Sequence, residues 1–509
     1  MIKKIIIVGG GSAGWMSAAT LKQCFPNKEI TVIESPNIKT IGVGESTLQQ
    51  IRAWTKLLDI DDKKFIPETD AILKLSIKFK NFYKKGEYFH YPFGNPNFSG
   101  NNNENNDWWF KKILEPKTPN SNYADSIFPI MALVNKNKIS TSIKTNYSFF
   151  SFQEDCAYHM DATKFALWLK DRYCIPLGVK HIKEDIKEIK QNKEGIVSLN
   201  GKYKADLYVD CTGFKSLLIG ETLKEEFESY ENILPNNSAW ATKIPYKNKE
   251  KEMECFTTCT AYNNGWIWNI PLWSRIGTGY VYSDKFVSDE DALKEFKKYL
   301  GKNDLDFQKI KMKVGIHKRL WVKNVVAIGL SAGFIEPLES NGLFTVHEFL
   351  FNLVSNLQRN EYSQWDRDNF TYECKLIFRN FAEFVALHYA LSHRKDTPYW
   401  KNNFDKKWSE DLINLKPTQV SGFTSAAYNR TYFHKHSTNG GLHCVAAGMN
   451  WSPTNLPKLI KYNYLNNKKY WEENLKKISF DLESKVKRWE KEAKNAESTY
   501  SFMKKNFYS

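Results

Sequence analysis

Gly9, Gly11 and Gly14 stand at GxGxxG spacing in KKIIIVGGGSAGWMSAATLKQ, between an apolar β-branched run and an alanine-rich stretch. That order reads as strand, tight turn and helix, and each glycine meets a separate need. Gly9 permits the turn, Gly11 lets a pyrophosphate approach the backbone, and Gly14 lets the helix pack closely on the strand. The helix start at Ser12 and Ala13 turns free amides toward phosphate. A second strand, EITVIES, ends in Glu34, where a carboxylate can accept hydrogen bonds from a ribose hydroxyl. The chemistry is dinucleotide binding, and this motif alone does not separate FAD from NAD.

Three further strand-to-glycine junctions point to a longer ligand. IGVGEST, residues 41–47, supplies Gly44, Glu45, Ser46 and Thr47 ahead of the helical LQQIRAWTKLL. Ser46 or Thr47 serves there as a helix cap, or its hydroxyl meets another part of the cofactor. ADLYVDCTGF brings Asp210 to a glycine turn, and NVVAIGLSAG does the same with Gly329 and Leu330. Small residues at four junctions let one extended ligand cross the sheet edge at a topological switch point, and FAD has that length. No second GxGxxG follows a strand, so a nicotinamide domain is not expected.

GWIWNIP, residues 265–271, sets Trp266 and Trp268 on one face of a strand that Pro271 ends. Two indoles at that spacing are ordinarily core filler. Beside a nucleotide module they can instead wall off part of the cofactor from an organic substrate.

GGGSAGW, GVGEST, KLSIKF, GWIWNIPLWSRIGTGYVYS and FIEPLESNG, in this order from about residue 4 to 344, resemble the flavin-dependent halogenases, especially the tryptophan halogenase group. The WxWxIP motif together with EPLES and an upstream KxxIxF is the specific part of the match. The resemblance implies reduced FAD and oxygen forming a flavin hydroperoxide, which halide attacks to give hypohalous acid that travels to an organic substrate. It implies cofactor contacts at Gly9, Gly11, Ser12, Ala13, Gly14, Glu34, Gly44, Glu45, Ser46, Ile186, Asp210, Gly329, Leu330 and Leu343. It carries a catalytic lysine onto Lys74 and a catalytic glutamate onto Glu339. A halide site falls on Asn341 and Gly342, where amides at a helix start hold an anion. Many relatives have threonine where this chain has Asn341, which leaves the halide open, a larger and softer ion than chloride included. Reduced FAD is expected from a separate reductase.

A lysine ammonium can polarise hypohalous acid, and a desolvated amine can instead capture the halogen as a haloamine. Glu339 can stabilise the cationic ring intermediate, take its proton or orient the oxidant. Without the family motif, Lys74, Ser76 and Lys78 would read as an exposed basic strand face. The family's His-Pro-Phe substrate run appears here as Tyr91-Pro92-Phe93, with His90 displaced by one. Tryptophan itself is therefore in doubt, and an aromatic sandwich for an indole or phenol is expected. The runner-up is a flavin monooxygenase that hydroxylates an aromatic substrate.

These residues need a scaffold, and the 509-residue chain is long enough for two or three modules. The expected fold is α/β with mixed α+β character. A Rossmann-like FAD module of the flavin monooxygenase type spans 1–70 and 150–350. A largely helical substrate-side module takes 71–149 and 351–509, including a surface helix in YWEENLKKISFDLESKVKRWEKEAKN. Asn95–Asn106 reads as a loop and a candidate lid. The net charge of +16 comes from lysines scattered along the chain, which argues for solvated faces and against nucleic acid. Eight dispersed cysteines suggest neither disulfides nor a metal site, and a reducing cytoplasm is expected. No apolar run approaches membrane-span length, and the sequence leaves a homo-oligomer open.

Overall fold

The computed structural model describes residues 2–38, 44–96, 103–142, 147–359, 361–409, 412–413, 441–451, 462 and 464–509. The β-branched run after the N-terminus forms the strand Lys4–Val8, a central strand of a six-stranded sheet. The order is Trp321–Val322, Val325–Ala327, Leu207–Asp210, Lys4–Val8, Glu29–Glu34 and Lys180–Lys183. All neighbours run parallel except the first pair. Glycines gather at one end of the parallel strands because the chain must turn there into covering helices. The helix Ser12–Cys24 follows the first strand, buries Gly14 through Leu21, and packs against the helix Gly342–Leu357.

A seven-stranded sheet is ordered Gln308–Lys311, Ser238–Ile244, Ile276–Tyr282, Gly265–Pro271, Phe256–Tyr262, Ser76–Lys80 and Tyr88–Pro92. Its only parallel pair joins Phe256–Tyr262 to Ser76–Lys80. Ile267, Tyr280 and Tyr282 point to a small core beneath the helix Asp289–Leu300, and Trp266 and Trp268 enter the main core on the opposite side. The alternation expected for GWIWNIP is thus present, and Pro271 is the last strand residue, paired with Ile276. This sheet draws strands from both expected modules, so the boundary between them does not follow a sheet edge.

Among the described residues beyond 350, helices dominate: Gln364–Ala390, Pro398–Asp405, Gly441–Gly448, Lys468–Glu492 and Thr499–Phe507. Lys468–Glu492 lies on the surface, with Leu482 and Trp489 buried. In the expected Asn-rich loop, residues 97–102 lie outside the described residues, and a helix begins at Asn103 and runs to Leu114. Trp108 and Trp109 explain that correction: both rings are buried, packing on Tyr123 and, for Trp109, on Trp451, so core packing sets the helix despite its polar start. No described helix is long and apolar enough to cross a membrane.

Candidate active site

At the first glycine turn, Gly9 has φ +116°, and an added Cβ would lie 2.2 Å from the Cys211 carbonyl oxygen. A Cβ on Gly14 would lie 1.9 Å from the Gly9 carbonyl oxygen, so neither site admits a side chain. Gly11 differs, since a Cβ there meets no atom within 4 Å. Gly11 also precedes the Ser12 helix without any side-chain cap on its amides. Glu34 ends its strand beside Gly10, with Oε2 2.8 Å from His181 Nε2. The open cradle, the uncapped helix start and the nearby carboxylate together fit the adenosine diphosphate half of FAD.

The neighbouring loops converge on the same edge. Asp185 accepts hydrogen bonds from Ser35 and Asn37, which tethers the loop carrying Ile186 to the end of the Glu34 strand. Gly329 has φ +75° and faces Ala13, whose Cβ would sit 2.7 Å from a side chain at that glycine. Leu330 follows it in a short 3-10 turn. Asp210 does not present its carboxylate to a ligand. It is fully buried and accepts from Thr212 N and Oγ1 and from the Leu218 and Ile219 amides, which shapes the turn after its strand. Residues 41–43 lie outside the described residues, and Gly44 begins the described part of that turn with φ +100°.

Lys74 is fully buried, which overturns the exposed basic face. It ends the strand Ile72–Lys74, and after Leu75 the chain enters a different sheet at Ser76, so Lys74 and Lys78 do not share one strand. Lys74 Nζ donates to the Thr47 carbonyl oxygen at 2.9 Å and to Ser340 Oγ at 2.8 Å. It sits 4.9 Å from the centre of the Phe93 ring. Burial pushes its ammonium well below the usual lysine range, although Cys259 and Glu339 pull the other way. Ser340 Oγ in turn contacts Ser46 Oγ at 3.0 Å, Ser46 contacts Thr257 Oγ1 at 2.7 Å, and Thr257 contacts His159 Nε2 at 2.8 Å. A chain of hydroxyls therefore links the lysine to a second buried base. Only Ser340 and Ser46 of this chain carried a local sequence signal.

Glu339 is fully buried on the turn before the Gly342 helix, and Ser340 after it takes a left-handed φ of +60°. It feels the charge of Lys74 but forms no ion pair with it. Its neighbour is His388 of the Gln364 helix, whose Nε2 lies 3.0 Å from Oε1. Burial pushes the Glu339 carboxyl up, with His388 and Lys74 opposing. Glu45, which ends up beside Gly342, is pushed up to about 7 by burial and by Asp161.

The carboxylate of Glu336 has a different task. Its Oε2 accepts from Trp266 Nε1 at 2.8 Å, Tyr389 OH at 2.7 Å and Asn236 Nδ2 at 2.8 Å, all of them buried. Trp266 and Trp268 stand with ring centres 6.1 Å apart, and Glu336 fixes the first indole. At the halide positions, Gly342 is exposed and opens the helix, and Asn341 is buried with Nδ2 turned back to the Ile335 carbonyl at 3.4 Å. Leu343 is buried behind them.

Tyr91, Pro92 and Phe93 are buried at the end of an edge strand, and burial, with the nearby Glu339 adding to it, raises the Tyr91 phenol. The one-residue displacement sends His90 to the other side of the strand, where Nδ1 meets Ser76 Oγ at 2.8 Å and the ring packs on Phe256. A histidine at this level is thus withdrawn from the lysine, and Tyr91 occupies the facing position.

A parallel sheet with an open dinucleotide cradle, together with a buried lysine, a buried glutamate and a buried indole pair, fits a flavin-dependent enzyme of the halogenase class. The family profile for tryptophan halogenase matches residues 4–464. Tryptophan 6-halogenase ThaL of Streptomyces albogriseolus is 31% identical over 496 residues, covering 90% of this chain and 91% of that protein. The apo structure of VirX1 is 38% identical with a TM-score of 0.87 and full coverage of both chains. Tar14, a tryptophan C-6 flavin-dependent chlorinase from taromycin biosynthesis, is 29% identical with a TM-score of 0.83 over 99% of each chain. The chain belongs to the tryptophan halogenase family.

Proposed function

We propose that the chain halogenates an electron-rich aromatic ring, indole- or phenol-like, with Lys74 and Glu339 steering hypohalous acid. Bound FAD, in its reduced form and with oxygen and halide, supplies that acid. Gly9, Gly11, Gly14, Glu34, Gly44, Gly329 and the Ile186 loop would hold the cofactor, and the amides of Asn341 and Gly342 would hold halide. Trp266 and Trp268 keep the organic substrate away from the flavin, which disfavours the monooxygenase reading.

The observation that carries the reading is the burial of Lys74 with its two hydrogen-bond partners. A neutral amine has two N–H donors, and Thr47 and Ser340 accept both, so a lone pair remains to receive halogen. Attack on hypohalous acid forms an N–X bond as the O–X bond breaks, and the displaced hydroxide leaves as water with one amine proton. Burial without a paired carboxylate favours this neutral form over an ammonium that only polarises the oxidant. Tyr91 and Phe93 then flank the ring to be substituted, and Glu339 takes its proton.

A separate reductase completes the system, and the purified chain with oxidised FAD and NADH alone serves as the blank. With a flavin reductase added, indole and a phenol are tested against each halide by mass spectrometry. Lys74→Ala is expected to lower halogenated product by about 100-fold or more, the scale of a positioned catalytic group, with FAD affinity unchanged. Full halogenation by that variant overturns the reading, and hydroxylated product from the unaltered chain supports the monooxygenase instead.

A further inference from the structure

Glu339 and His388 are both fully buried, and they face each other at 3.0 Å between Oε1 and Nε2. Neither carboxylate oxygen nor Nε2 has a well-aligned hydrogen bond. The tautomer follows from the other ring nitrogen. Nδ1 lies 3.1 Å from the Val385 carbonyl oxygen, which can only accept, so Nδ1 carries a proton and Nε2 is the nitrogen turned to Glu339. Burial raises the Glu339 carboxyl, and a carboxylic acid proton on Oε1 is matched by a lone pair on Nε2.

This creates a demand on the reaction. A carboxyl group that rests protonated cannot take the ring proton unless it gives up its own. The surroundings leave one outlet. Phe79, Phe82, Phe89 and Phe384 pack around the His388 ring with centres 4.6 to 6.1 Å away. Phe79, the nearest of the four, is placed to hold a transient imidazolium against its ring. The other titratable groups near this pair are Lys74, Tyr91, Cys259, Cys444 and Glu336. Lys74 spends its donors elsewhere, and the phenol and both thiols are raised by burial and so keep their protons. Glu336 is held by three donors of its own.

We propose that His388 is the proton acceptor behind Glu339: Oε2 takes the ring proton while the proton on Oε1 passes to His388 Nε2. The C–H bond of the halogenated cationic ring breaks and its electron pair restores aromaticity. An O–H bond forms on Oε2, the O–H bond on Oε1 breaks, and an N–H bond forms on Nε2. The imidazolium proton then replaces the one that Lys74 lost to water when it captured the halogen, so ArH and HOX give ArX and H2O. His388 acts through Glu339 and does not touch the substrate.

The inference rests on the proposed role of Glu339, and the test separates the two. His388→Gln and His388→Phe, each verified by melting and FAD binding, are assayed with the reductase system on indole and on ring-deuterated indole in separate saturated reactions. Either variant is expected to halogenate at least tenfold more slowly, with the protiated substrate several-fold faster than the deuterated one because loss of the ring proton has become limiting. A variant at full rate, or a slow variant with equal rates on both substrates, overturns the proposal. Glu339→Gln is run beside them. If it keeps the full rate, the reading of Glu339 fails; if it is slow while the His388 variants are fast or show no isotope effect, only the histidine step fails.

Discussion

Replacing Trp266 by phenylalanine tests the indole wall and its anchor together. The change removes the N–H that donates to Glu336 Oε2 at 2.8 Å and leaves that buried carboxyl with Tyr389 and Asn236. Losing one buried hydrogen bond of this kind costs about 1–3 kcal/mol. The smaller ring adds about 1 kcal/mol for a partly collapsed void in the core. With about 2.1 cal/mol/K of unfolding entropy per residue over 509 residues, roughly 1.1 kcal/mol/K in all, the sum of about 2–4 kcal/mol lowers Tm by about 2–4 °C. Calorimetry of the variant reads that shift. The same variant, with the reductase and halide present, is expected to release more hydrogen peroxide or hydroxylated product per halogenated product, more so when Trp268→Phe is added. An unchanged Tm refutes the anchoring by Glu336, and unchanged partitioning returns both indoles to the role of core filler.

Gly11→Ala adds a methyl group that meets no protein atom, at a φ of −79° that alanine adopts readily, so melting without FAD should stay put and FAD affinity should fall about tenfold, near 1.4 kcal/mol. Gly14→Ala, 1.9 Å from a carbonyl oxygen, should instead destabilise the chain itself, and equal effects at the two glycines would contradict the cradle. Burial, with Lys78 adding to it, pushes His90 down to about 3 from its ordinary 6.5. The unfolded chain therefore binds a proton that the folded one refuses, and stability falls as pH drops from about 6.5 toward 3. His90→Gln should flatten Tm against pH across that window, and parallel curves would count against a neutral buried imidazole.

Much of the cofactor half was legible in one dimension, because its chemistry is written in adjacent residues. A turn that admits no Cβ at Gly9 and Gly14 demands glycine locally, and the strand and helix on either side are set by the apolar pattern around them. The two-residue alternation placed Trp266 and Trp268 on one face before any fold was known. Asp210 shows the limit of such reading: its position at a glycine junction suggests a ligand contact, and four internal donors take the carboxylate instead.

The reacting half was fixed by packing across long separations. Without the family motif Lys74 would read as one of a row of exposed lysines, and only the crossing from one sheet to another at Leu75 buries it against Thr47 and Ser340. Glu336 and Glu339 stand three positions apart in one motif, yet one anchors an indole and the other meets a histidine on a distant helix. His388, Thr257 and His159 carry no local pattern at all. The sequence alone therefore determined the family and singled out the dinucleotide cradle and the two charged residues, Lys74 and Glu339, on which the proposed reaction rests. The tertiary structure decided which atoms those charges face and whether they remain charged, because desolvation and hydrogen-bond partners are properties of the packed interior, not of neighbours along the chain.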